Sequence, residues 1–309
     1  MFFSLINILY YLIKLNDYLI IIIKNFFLYL IIMNYNRILT MQDISCIGQC
    51  SLTVALPILS AFGIETCVLP SAILSTHTAG FKGFTCQDFT EEIQKIVSHW
   101  EKEKIHFDAF YTGYLLNEKQ IQIINDIFFK FGNIKTKKIV DPVMGDNGKL
   151  YPGFDLKFVK AMKTLCLKAD IIIPNLTEAC LLTDYEYKEV YDENYILNLV
   201  KKLEELGPKL IILTGIGYTE DSTGIVVSEQ GKFKYYKHRR IKKSYHGTGD
   251  IYSSVFVGAF MNGFSAFEAA CLSADFIVDC IEYTIKDTSH WYGVKFEPLL
   301  IRLITKLKK

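Results

Sequence analysis

The stretch GTGDIYSSVFVGAF, residues 247–260, sets two glycines around a threonine and follows them with an aspartate and a run of small, mostly apolar residues. Gly247 and Gly249 allow the backbone to turn its N–H groups toward one point, and a helix that begins beside them adds its positive end. Such a loop predicts a hole that binds an anion such as phosphate. Asp250, at the mouth of the helix, could take a proton from an attacking hydroxyl group. A plain helix N-cap explains the same residues, so both interpretations stand at this point.

Outward from this stretch, short apolar runs alternate with amphipathic segments from residue 37 onward. The apolar runs predict buried strands: RILTM (37–41), TCVLP (66–70), FDAFYTG (107–113), KKIVD (137–141), DIIIP (170–174) and KLIILTG (209–215). The segments between them predict helices: SLTVALPILSAF (51–62), DFTEEIQKIVSHWEKE (88–103), KQIQIINDIFFKF (119–131), FDLKFVKAMKTLC (154–166) and YILNLVKKLEEL (195–206). Residues 223–241 predict a hairpin, and the chain after Asp250 is predicted to be helical nearly to its end. This alternation predicts an α/β fold with a central, mainly parallel sheet and helices on both faces.

The first 32 of the 309 residues differ in composition from the rest of the chain. They are almost entirely Phe, Ile, Leu, Tyr, Asn and Lys, but Lys14, Asp17 and Lys24 divide them into pieces shorter than the ~20 apolar residues of a membrane span. We therefore expect this leader to be translated upstream sequence, with Met33 as the true start; a weak interfacial anchor is the alternative. Residues 33–309 are expected to form a single domain.

Charge and cysteine usage narrow the function classes. The chain has 34 Lys and Arg against 33 Asp and Glu, a net charge of +1, which gives no electrostatic reason to expect a nucleic-acid partner. Its eight cysteines are scattered through apolar segments without a secretory signal, which favours free thiols and a cytoplasmic protein. Cys46 and Cys50 lie four residues apart, but no second Cys/His pair at zinc spacing accompanies them.

Polar residues close several of the predicted strands, where ligands of open α/β sheets bind. Asp141 and Asp146 follow one strand and could position Mg²⁺ or its waters, although Asp-Pro and Asp-Asn-Gly also form common turns. Asn175 and Glu178 follow the next strand and could equally cap a helix. Thr214, followed by Gly215, ends a further strand and suits either a triphosphate or a plain turn. Neither a GxxxxGK[ST] loop, nor kinase HRD and DFG motifs, nor a GxGxxG after the first strand is present.

Taken together, these motifs resemble the ribokinase superfamily. GTGD (247–250), DPVMGD (141–146), PNLTE (174–178) and LTG (213–215) stand in that superfamily's order. Within it, residues 41–81 with their STHT segment (75–78), TGYL (112–115) and HWYGVKFEP (290–298) resemble the pyridoxal/pyridoxamine kinases. The resemblance implies a ribokinase-like fold, a homodimer, and phosphorylation of the 5′-hydroxymethyl group of a B6 vitamer by ATP with Mg²⁺, often helped by a monovalent cation such as K⁺.

The resemblance also implies a role for each matching residue. Asp250 would be the catalytic base, and Gly247, Thr248 and Gly249 would form the anion hole. ATP and its metal would be served by Asp141, Asn175 and Glu178, with Asp141 and Glu178 on the metal and with Thr214 and Gly215 near the phosphates. The pocket for the vitamer ring would be lined by Asp43, His77, Thr78, Tyr114 and Asp250.

Two departures from the family pattern bear on that pocket. Many pyridoxal kinases carry Ser where this chain has Asp43, whose carboxylate could meet the pyridine nitrogen and favour its protonated form. Leu116-Asn117 follows TGYL where Gly-Ser is more usual. His77 has a second interpretation, as a hydrogen-bonded structural residue.

Three alternatives to a B6 kinase remain open from the sequence. A hydroxymethylpyrimidine kinase of thiamine synthesis shares the superfamily and acts on a similar aromatic alcohol. A non-catalytic B6-binding protein would keep the pocket without turnover, and a membrane-tethered protein would use the leader as an anchor.

Overall fold

The apolar runs of the sequence form the strands of one twisted sheet. The computed structural model describes residues 35–243 and 245–307. The strands of the sheet within these residues are β1 (Arg37–Ser45), β2 (Glu65–Leu74), β3 (Cys86–Asp88), β4 (Ala109–Thr112), β5 (Lys137–Val140), β8 (Ile171–Ile172), β9 (Leu210–Thr214), β10 (Ser222–Glu229) and β11 (Lys232–Arg239). A separate two-stranded hairpin consists of β6 (Gly145–Asp146) and β7 (Lys149–Leu150). The order of strands across the sheet is β11-β10-β9-β8-β5-β4-β1-β2-β3.

The six central strands of this order, β9-β8-β5-β4-β1-β2, pair in parallel. At the two edges, β10, β11 and β3 pair antiparallel. The chain passes from β1 to β2 on one side and then continues with β4 on the other side of β1. This reversal opens a crevice at the carboxyl ends of β1 and β4, the place where open α/β sheets bind their ligands.

Helices cover both faces of this sheet. Their bounds are α1 (Leu52–Ala61), α2 (Thr90–Lys102), α3 (Glu118–Lys130), α4 (Leu156–Cys166), α5 (Leu176–Thr183), α6 (Glu193–Glu204), α7 (Thr248–Met261), α8 (Ala266–Thr284) and α9 (Leu300–Lys306), with a short 3₁₀ turn at Glu297–Leu299. Helices α2 to α6 pack on one face, and α1, α7, α8 and α9 pack on the other.

The alternation of side chains along each strand explains the two cores. In β1, Leu39 joins the core beneath α2 to α6, whereas Ile38 joins the core beneath α1 and α7. In β4, Phe110 joins the core beneath α2 to α6, whereas Ala109 joins the core beneath α1 and α7. Because both faces are covered, a strand needs apolar residues at every position, and its run in the sequence is nearly continuous.

The structure confirms the predicted α/β fold, its parallel centre, the hairpin and the five helices between strands. The edge strand β3 and the β6–β7 hairpin were not predicted, because each is only two or three residues long and carries no apolar run. Residues Asn36–Lys309 form one compact unit. The predicted leader, residues 1–32, and the proposed start at Met33 lie outside the described residues. No helix within residues 35–243 and 245–307 is both long and apolar enough to cross a bilayer.

Candidate active site

The glycine loop and the start of α7 form the centre of the site. Gly247 has a φ of 79°, and its Cα lies very close to the loop between β1 and α1. A Cβ at Gly247 would stand 1.9 Å from the carbonyl oxygen of Gln49 in that loop. Both its backbone conformation and this contact therefore require glycine. Gly249, by contrast, faces open space: a Cβ at this position would meet no neighbouring atom within 4 Å. A helix N-terminus with its N–H groups toward open space is a suitable place for an anion.

Asp250 lies in the first turn of α7 and is partly buried. Burial raises the pKa of its carboxyl to about 7, the backbone N–H of Ser51 lowers that pKa, and the charge of Asp43 raises it. A carboxyl that titrates near neutrality can both accept and release a proton under ordinary conditions, as a general base must.

Asp141 directly follows β5 and is buried beneath α7. Its backbone N–H donates to the carbonyl of Thr112 at 3.1 Å, and its Oδ2 accepts a hydrogen bond from the Ser253 hydroxyl at 2.6 Å. Burial raises the pKa of Asp141 to about 8, the Ser253 hydroxyl lowers it, and the charge of Asp250 raises it. In the sequence, Ser253 is only one of the run of small residues that follows Asp250, so nothing there predicts this hydrogen bond.

Asn175 and Glu178 form a capping box at the start of α5. The Asn175 side chain accepts from the backbone N–H of Glu178 at 3.0 Å, and Glu178 accepts in return from the backbone N–H of Asn175 at 2.9 Å. The other Glu178 oxygen accepts from the backbone N–H of Met144 at 3.1 Å, and Asn175 Nδ2 donates to the carbonyl of Gly145 at 2.8 Å. Burial and the charge of Asp141 raise the pKa of Glu178. The capping interpretation is therefore right, and the cap also fixes a buried carboxyl beside Asp141.

Thr214 and Gly215 lie next to this box. Thr214 ends β9 and bridges in parallel to Asn175, with its backbone N–H donating to the carbonyl of Pro174 at 3.0 Å. Gly215 is exposed and turns the chain at a φ of 75°. Asp146 belongs to the turn of the small hairpin, where it accepts from the Asn147 backbone N–H at 2.8 Å.

On the other side of Asp250, Asp43 is buried near the end of β1. Its Oδ2 accepts from the Ser45 hydroxyl at 2.9 Å. Burial raises the pKa of Asp43, whereas the hydroxyls of Ser51 and Ser45 lower it. Tyr114 is partly buried nearby, and burial followed by the charge of Asp43 raises its pKa to about 12. The structure thus brings Asp43 and Tyr114 to the same crevice, at the ends of β1 and β4.

Both ring nitrogens of His77 are occupied. Nε2 lies 2.6 Å from the carbonyl oxygen of Tyr292, and Nδ1 accepts from the backbone N–H of Ala79 at 3.1 Å. These partners assign the proton to Nε2, because only a protonated nitrogen can donate to a carbonyl. The contacts favour the structural interpretation of His77. Thr78, the next residue, is exposed, and His246 lies on the glycine loop, where desolvation of its ring lowers its pKa.

The carboxyl groups provide a donor set that fits a divalent cation. Among the described residues, no three His, Cys, Asp or Glu side chains converge closely enough to hold a metal by themselves. Burial nevertheless raises the pKa values of Asp141, Glu178 and Asp250. In addition, the charge of Asp141 raises the pKa of Glu178, and the charge of Asp250 raises the pKa of Asp141. A site for Mg²⁺ commonly has one or two carboxylates, completed by waters and substrate phosphates.

A family model described as phosphomethylpyrimidine kinase matches residues 56–294, well over half of the chain. The chain belongs to this family. Membership confirms that the protein is a phosphotransferase of the kinase type.

Solved structures of the family give the same fold. A candidate phosphomethylpyrimidine kinase of Bacteroides thetaiotaomicron, crystallised with pyridoxal, is 35% identical with a TM-score of 0.82 over 89% of this chain and 96% of that chain. The pyridoxal kinase of Lactobacillus plantarum is 30% identical with a TM-score of 0.81 over 88% of this chain and 97% of that chain. These likenesses confirm both the ribokinase-like fold and the resemblance to pyridoxal kinases.

Curated relatives of the chain extend to two pathways. The pyridoxal kinase of Dictyostelium discoideum is 26% identical over 243 residues, 72% of this chain and 77% of that protein. The chloroplastic thiamine biosynthetic bifunctional enzyme TH1 of Arabidopsis thaliana is 25% identical over 259 residues. That match covers 79% of this chain but only 48%, about half, of the plant enzyme.

Proposed function

We propose that this protein transfers phosphate from ATP to the 5′-hydroxymethyl group of a B6 vitamer (pyridoxal, pyridoxine or pyridoxamine) in the salvage of pyridoxal 5′-phosphate. The observation that carries the proposal is the position of Asp250, in the first turn of α7, between the crevice at the ends of β1 and β4 and the open N-terminus of that helix. The likeness to a structure crystallised with pyridoxal supports the choice of substrate class.

Asp250 acts as the base in this proposal. With a pKa of about 7, the Asp250 carboxyl can both accept and release a proton near neutral pH. When the hydroxyl oxygen attacks the terminal phosphorus, its proton passes to the Asp250 carboxylate. The bond from that phosphorus to the leaving oxygen of ADP breaks as the new oxygen–phosphorus bond forms.

The loop of Gly247, Thr248 and Gly249 meets the transferred phosphate. The backbone N–H groups at the start of α7 face the negative charge that spreads over the phosphoryl oxygens during transfer. Thr248 is itself held, with its hydroxyl 3.4 Å from the carbonyl of Tyr245. The loop is therefore in place before a substrate arrives, and stabilisation requires little rearrangement.

In this proposal, the nucleotide and its metal would lie at the ends of β5, β8 and β9. Asp141 and Glu178 would hold Mg²⁺, directly or through its waters, with Asn175, Thr214 and Gly215 beside the phosphates. Bound Mg²⁺ neutralises phosphate charge and helps to align the transferred group. A monovalent cation such as K⁺ is a further expectation of the proposal.

Asp43 and Tyr114 line the crevice for the vitamer ring, with Thr78 at its exposed rim. A carboxylate at Asp43 would pair with the protonated pyridine nitrogen. Burial raises the pKa of Asp43, and the hydroxyls of Ser51 and Ser45 oppose that shift by favouring the charged form that such a pair needs. If Asp43→Asn left the KM of the vitamer unchanged from about pH 5 to about pH 9, this contact would be wrong.

Phosphorylation of a hydroxymethylpyrimidine is the second candidate. The description of the family model and the likeness to a thiamine biosynthetic enzyme favour it. The two substrates share a hydroxymethyl group on a nitrogen-containing aromatic ring, so the same base and anion hole serve both. The difference lies in the ring pocket around Asp43 and Tyr114.

We also propose that the enzyme works in the cytosol as a homodimer. All eight cysteines are free thiols, which is usual for proteins of a reducing compartment. Analytical ultracentrifugation tests the dimer: a single monomeric species across micromolar concentrations would contradict it.

A substrate panel tests the proposed function. The purified protein is incubated with Mg-ATP and each of pyridoxal, pyridoxine, pyridoxamine and hydroxymethylpyrimidine, and ADP release is measured. Turnover of the B6 vitamers supports the proposal. Turnover confined to the pyrimidine assigns the enzyme to thiamine synthesis, and tight pyridoxal binding without turnover makes it a carrier.

A further inference from the structure

The loop after β9 leaves the sheet at the carboxyl ends of the strands. Thr214 ends β9 and is bridged to Asn175 of the capping box, so the loop begins at a fixed point. Gly215 follows with a φ of 75°, and a Cβ at this position would meet no neighbouring atom within 4 Å. A ligand therefore has room to approach the backbone closely at Gly215. Loops are usually more mobile than the strands that they connect, so a precise contact here depends on what holds the residues that follow.

The next two residues are held by side chains from outside the loop. The backbone N–H of Gly217 donates to the Tyr191 hydroxyl at 3.1 Å. The Tyr235 hydroxyl donates to the carbonyl oxygen of Ile216 at 3.2 Å. A phenol hydroxyl can serve as acceptor or as donor, so tyrosine suits both positions. Tyr191 lies just before α6 and Tyr235 lies on β11, so the two hydroxyls reach the loop from different elements.

Both hydrogen bonds fall on one peptide unit. The carbonyl of Ile216 and the N–H of Gly217 belong to the same planar group, and in a trans peptide they point in opposite directions. A hydroxyl on each side therefore fixes the rotation of this plane. The preceding peptide is held as well, because the backbone N–H of Ile216 donates to the carbonyl of Gly224 at 2.9 Å. The two peptides that follow Gly215 are thus both fixed.

Packing keeps the two hydroxyls in place. Gly224 leaves room for Tyr235, since a Cβ at Gly224 would stand 2.7 Å from a ring carbon and 2.8 Å from the hydroxyl oxygen of that tyrosine. The ring of Tyr218 packs against both Tyr191 and Tyr235, with centroids 6.1 and 5.2 Å away. Tyr191 also stacks on Tyr195 of α6, at 5.8 Å. Aromatic pairs at these distances attract each other, so the row of rings supports both hydroxyls.

We propose that Tyr191 and Tyr235 are positioning residues for the nucleotide. By fixing the peptide between Ile216 and Gly217, they hold Gly215 in the conformation that meets the phosphates. The inference rests on the proposed function, in which Gly215 lies beside the phosphates of ATP. A loop already in its bound conformation loses less conformational entropy when the ligand binds. Both hydroxyls should therefore strengthen nucleotide binding and leave vitamer binding unchanged.

Tyr191→Phe and Tyr235→Phe test the proposal, because each removes one hydroxyl and keeps the ring. We expect each variant to weaken the binding of Mg-ADP about two- to ten-fold, the range for one hydrogen bond. The KM for Mg-ATP should rise by a similar factor, while the KM for the vitamer stays within about twofold. Isothermal titration calorimetry with Mg-ADP and steady-state kinetics measure these values. Unchanged Mg-ADP binding in both variants would overturn the proposal.

Two neighbouring tyrosines provide matched controls. Tyr236 follows on β11 but faces the other side of the sheet, where its hydroxyl donates to Oδ1 of Asp275 at 2.6 Å. Tyr195 belongs to the same row of rings, and its hydroxyl donates to the carbonyl of Glu186 at 2.6 Å.

Tyr236→Phe and Tyr195→Phe each lose a hydrogen bond that does not involve the loop. We expect them to cost stability comparable to that of the two test variants and to leave the affinity for Mg-ADP unchanged. A purely structural role of Tyr191 and Tyr235 would make all four variants alike in stability and in Mg-ADP affinity. That result would also overturn the proposal.

A second measurement follows the loop itself. Amide hydrogen exchange at Gly217, followed by NMR in the ligand-free protein, reports the bond to Tyr191. We expect this exchange to be faster in Tyr191→Phe than in the parent and in Tyr195→Phe. Equal exchange in the three proteins would overturn the proposal. A parent that binds Mg-ADP but phosphorylates no vitamer would contradict the proposed function alone, whereas a parent that binds no Mg-ADP would overturn the function and this inference together.

Discussion

Two carboxyls of the candidate site, one in each of its halves, are held in different ways. The nucleotide half, at the ends of β5, β8 and β9, contains Glu178, whose two carboxyl oxygens both accept from backbone N–H groups. The vitamer half, at the ends of β1 and β4, contains Asp43, which accepts a hydrogen bond from the Ser45 hydroxyl. Backbone ties fix a carboxyl rigidly, whereas side-chain ties can be changed by one substitution. Under the proposed function, we therefore expect a substitution beside Asp43 to change the choice of substrate more readily than a substitution beside Glu178.

Replacement of Asp250, which lies between the halves, should have the largest effect. Asp250→Asn removes the proton acceptor and keeps the shape of the side chain, so we expect kcat to fall on the order of 10²–10⁴-fold with little change in either KM. Steady-state kinetics of vitamer phosphorylation measure this. Asp126→Asn, on an exposed face of α3, is the matched control. A kcat within threefold of the parent would show that Asp250 is only a helix cap.

The nucleotide half is tested by Glu178→Gln. The glutamine side chain has an NH₂ donor in place of one carboxyl oxygen, and this donor faces one of the two backbone N–H groups that donate to Glu178. The substitution also removes a charge. We expect the apparent KM for Mg-ATP to rise on the order of 10-fold, with the KM for the vitamer within twofold. The chain offers a matched control in a second capping box, Ser265 and Glu268 at the start of α8, which is exposed and remote from the glycine loop. Glu268→Gln should cost stability but leave both KM values unchanged; equal kinetic effects of the two substitutions would remove Glu178 from the site.

The pH dependence of stability tests the buried carboxyls. A carboxyl whose folded-state pKa is raised favours the protonated folded protein. Its stabilising contribution is therefore complete below about pH 4, its unfolded pKa, and is lost as the pH rises through the folded value. For Asp141, with a pKa of about 8, that window lies between about pH 4 and 8.

We therefore expect the free energy of unfolding of the ligand-free protein to fall from about pH 5 to about pH 9. Asp141→Asn should reduce that fall by at least about 1.4 kcal/mol, the free energy that corresponds to one pKa unit. Urea denaturation in the presence of a chelator measures it. Identical slopes in the parent and Asp141→Asn would show that Asp141 is already ionised without a ligand.

Replacement of His77 should have the smallest effect. It tests whether His77 belongs to the ring pocket of the vitamer half or only supports the fold. His77→Gln leaves at least one of its two backbone partners, Tyr292 or Ala79, without a bond, at a cost of about 1 kcal/mol in stability. We expect the KM for pyridoxal to change by less than threefold. A larger increase in KM at unchanged stability would return His77 to the ring pocket.

The sequence predicted the parts of this molecule that depend on local pattern. Strands buried on both faces produce continuous apolar runs, and the capping box of Asn175 and Glu178 lies within four residues. Contacts between distant loops left no such pattern. The hydrogen bond from Ser253 to Asp141 joins residues far apart in the chain, and nothing in GQCSL (48–52) predicts the positive φ of 53° at Ser51. Local pattern thus predicted the capping box, while the contact that holds Asp141 and the backbone conformation of Ser51 required coordinates.

The packing of Gly247 against Gln49 has a consequence for the order of synthesis. The two residues lie roughly 200 positions apart, so the anion hole and the loop that supports it come from opposite ends of the described chain. A ribosome must release the segment through α7 before that support can form, and every shorter nascent chain lacks it. Activity should therefore emerge late and abruptly during translation, and a chain that ends before α7 should be inactive even where its strands have paired.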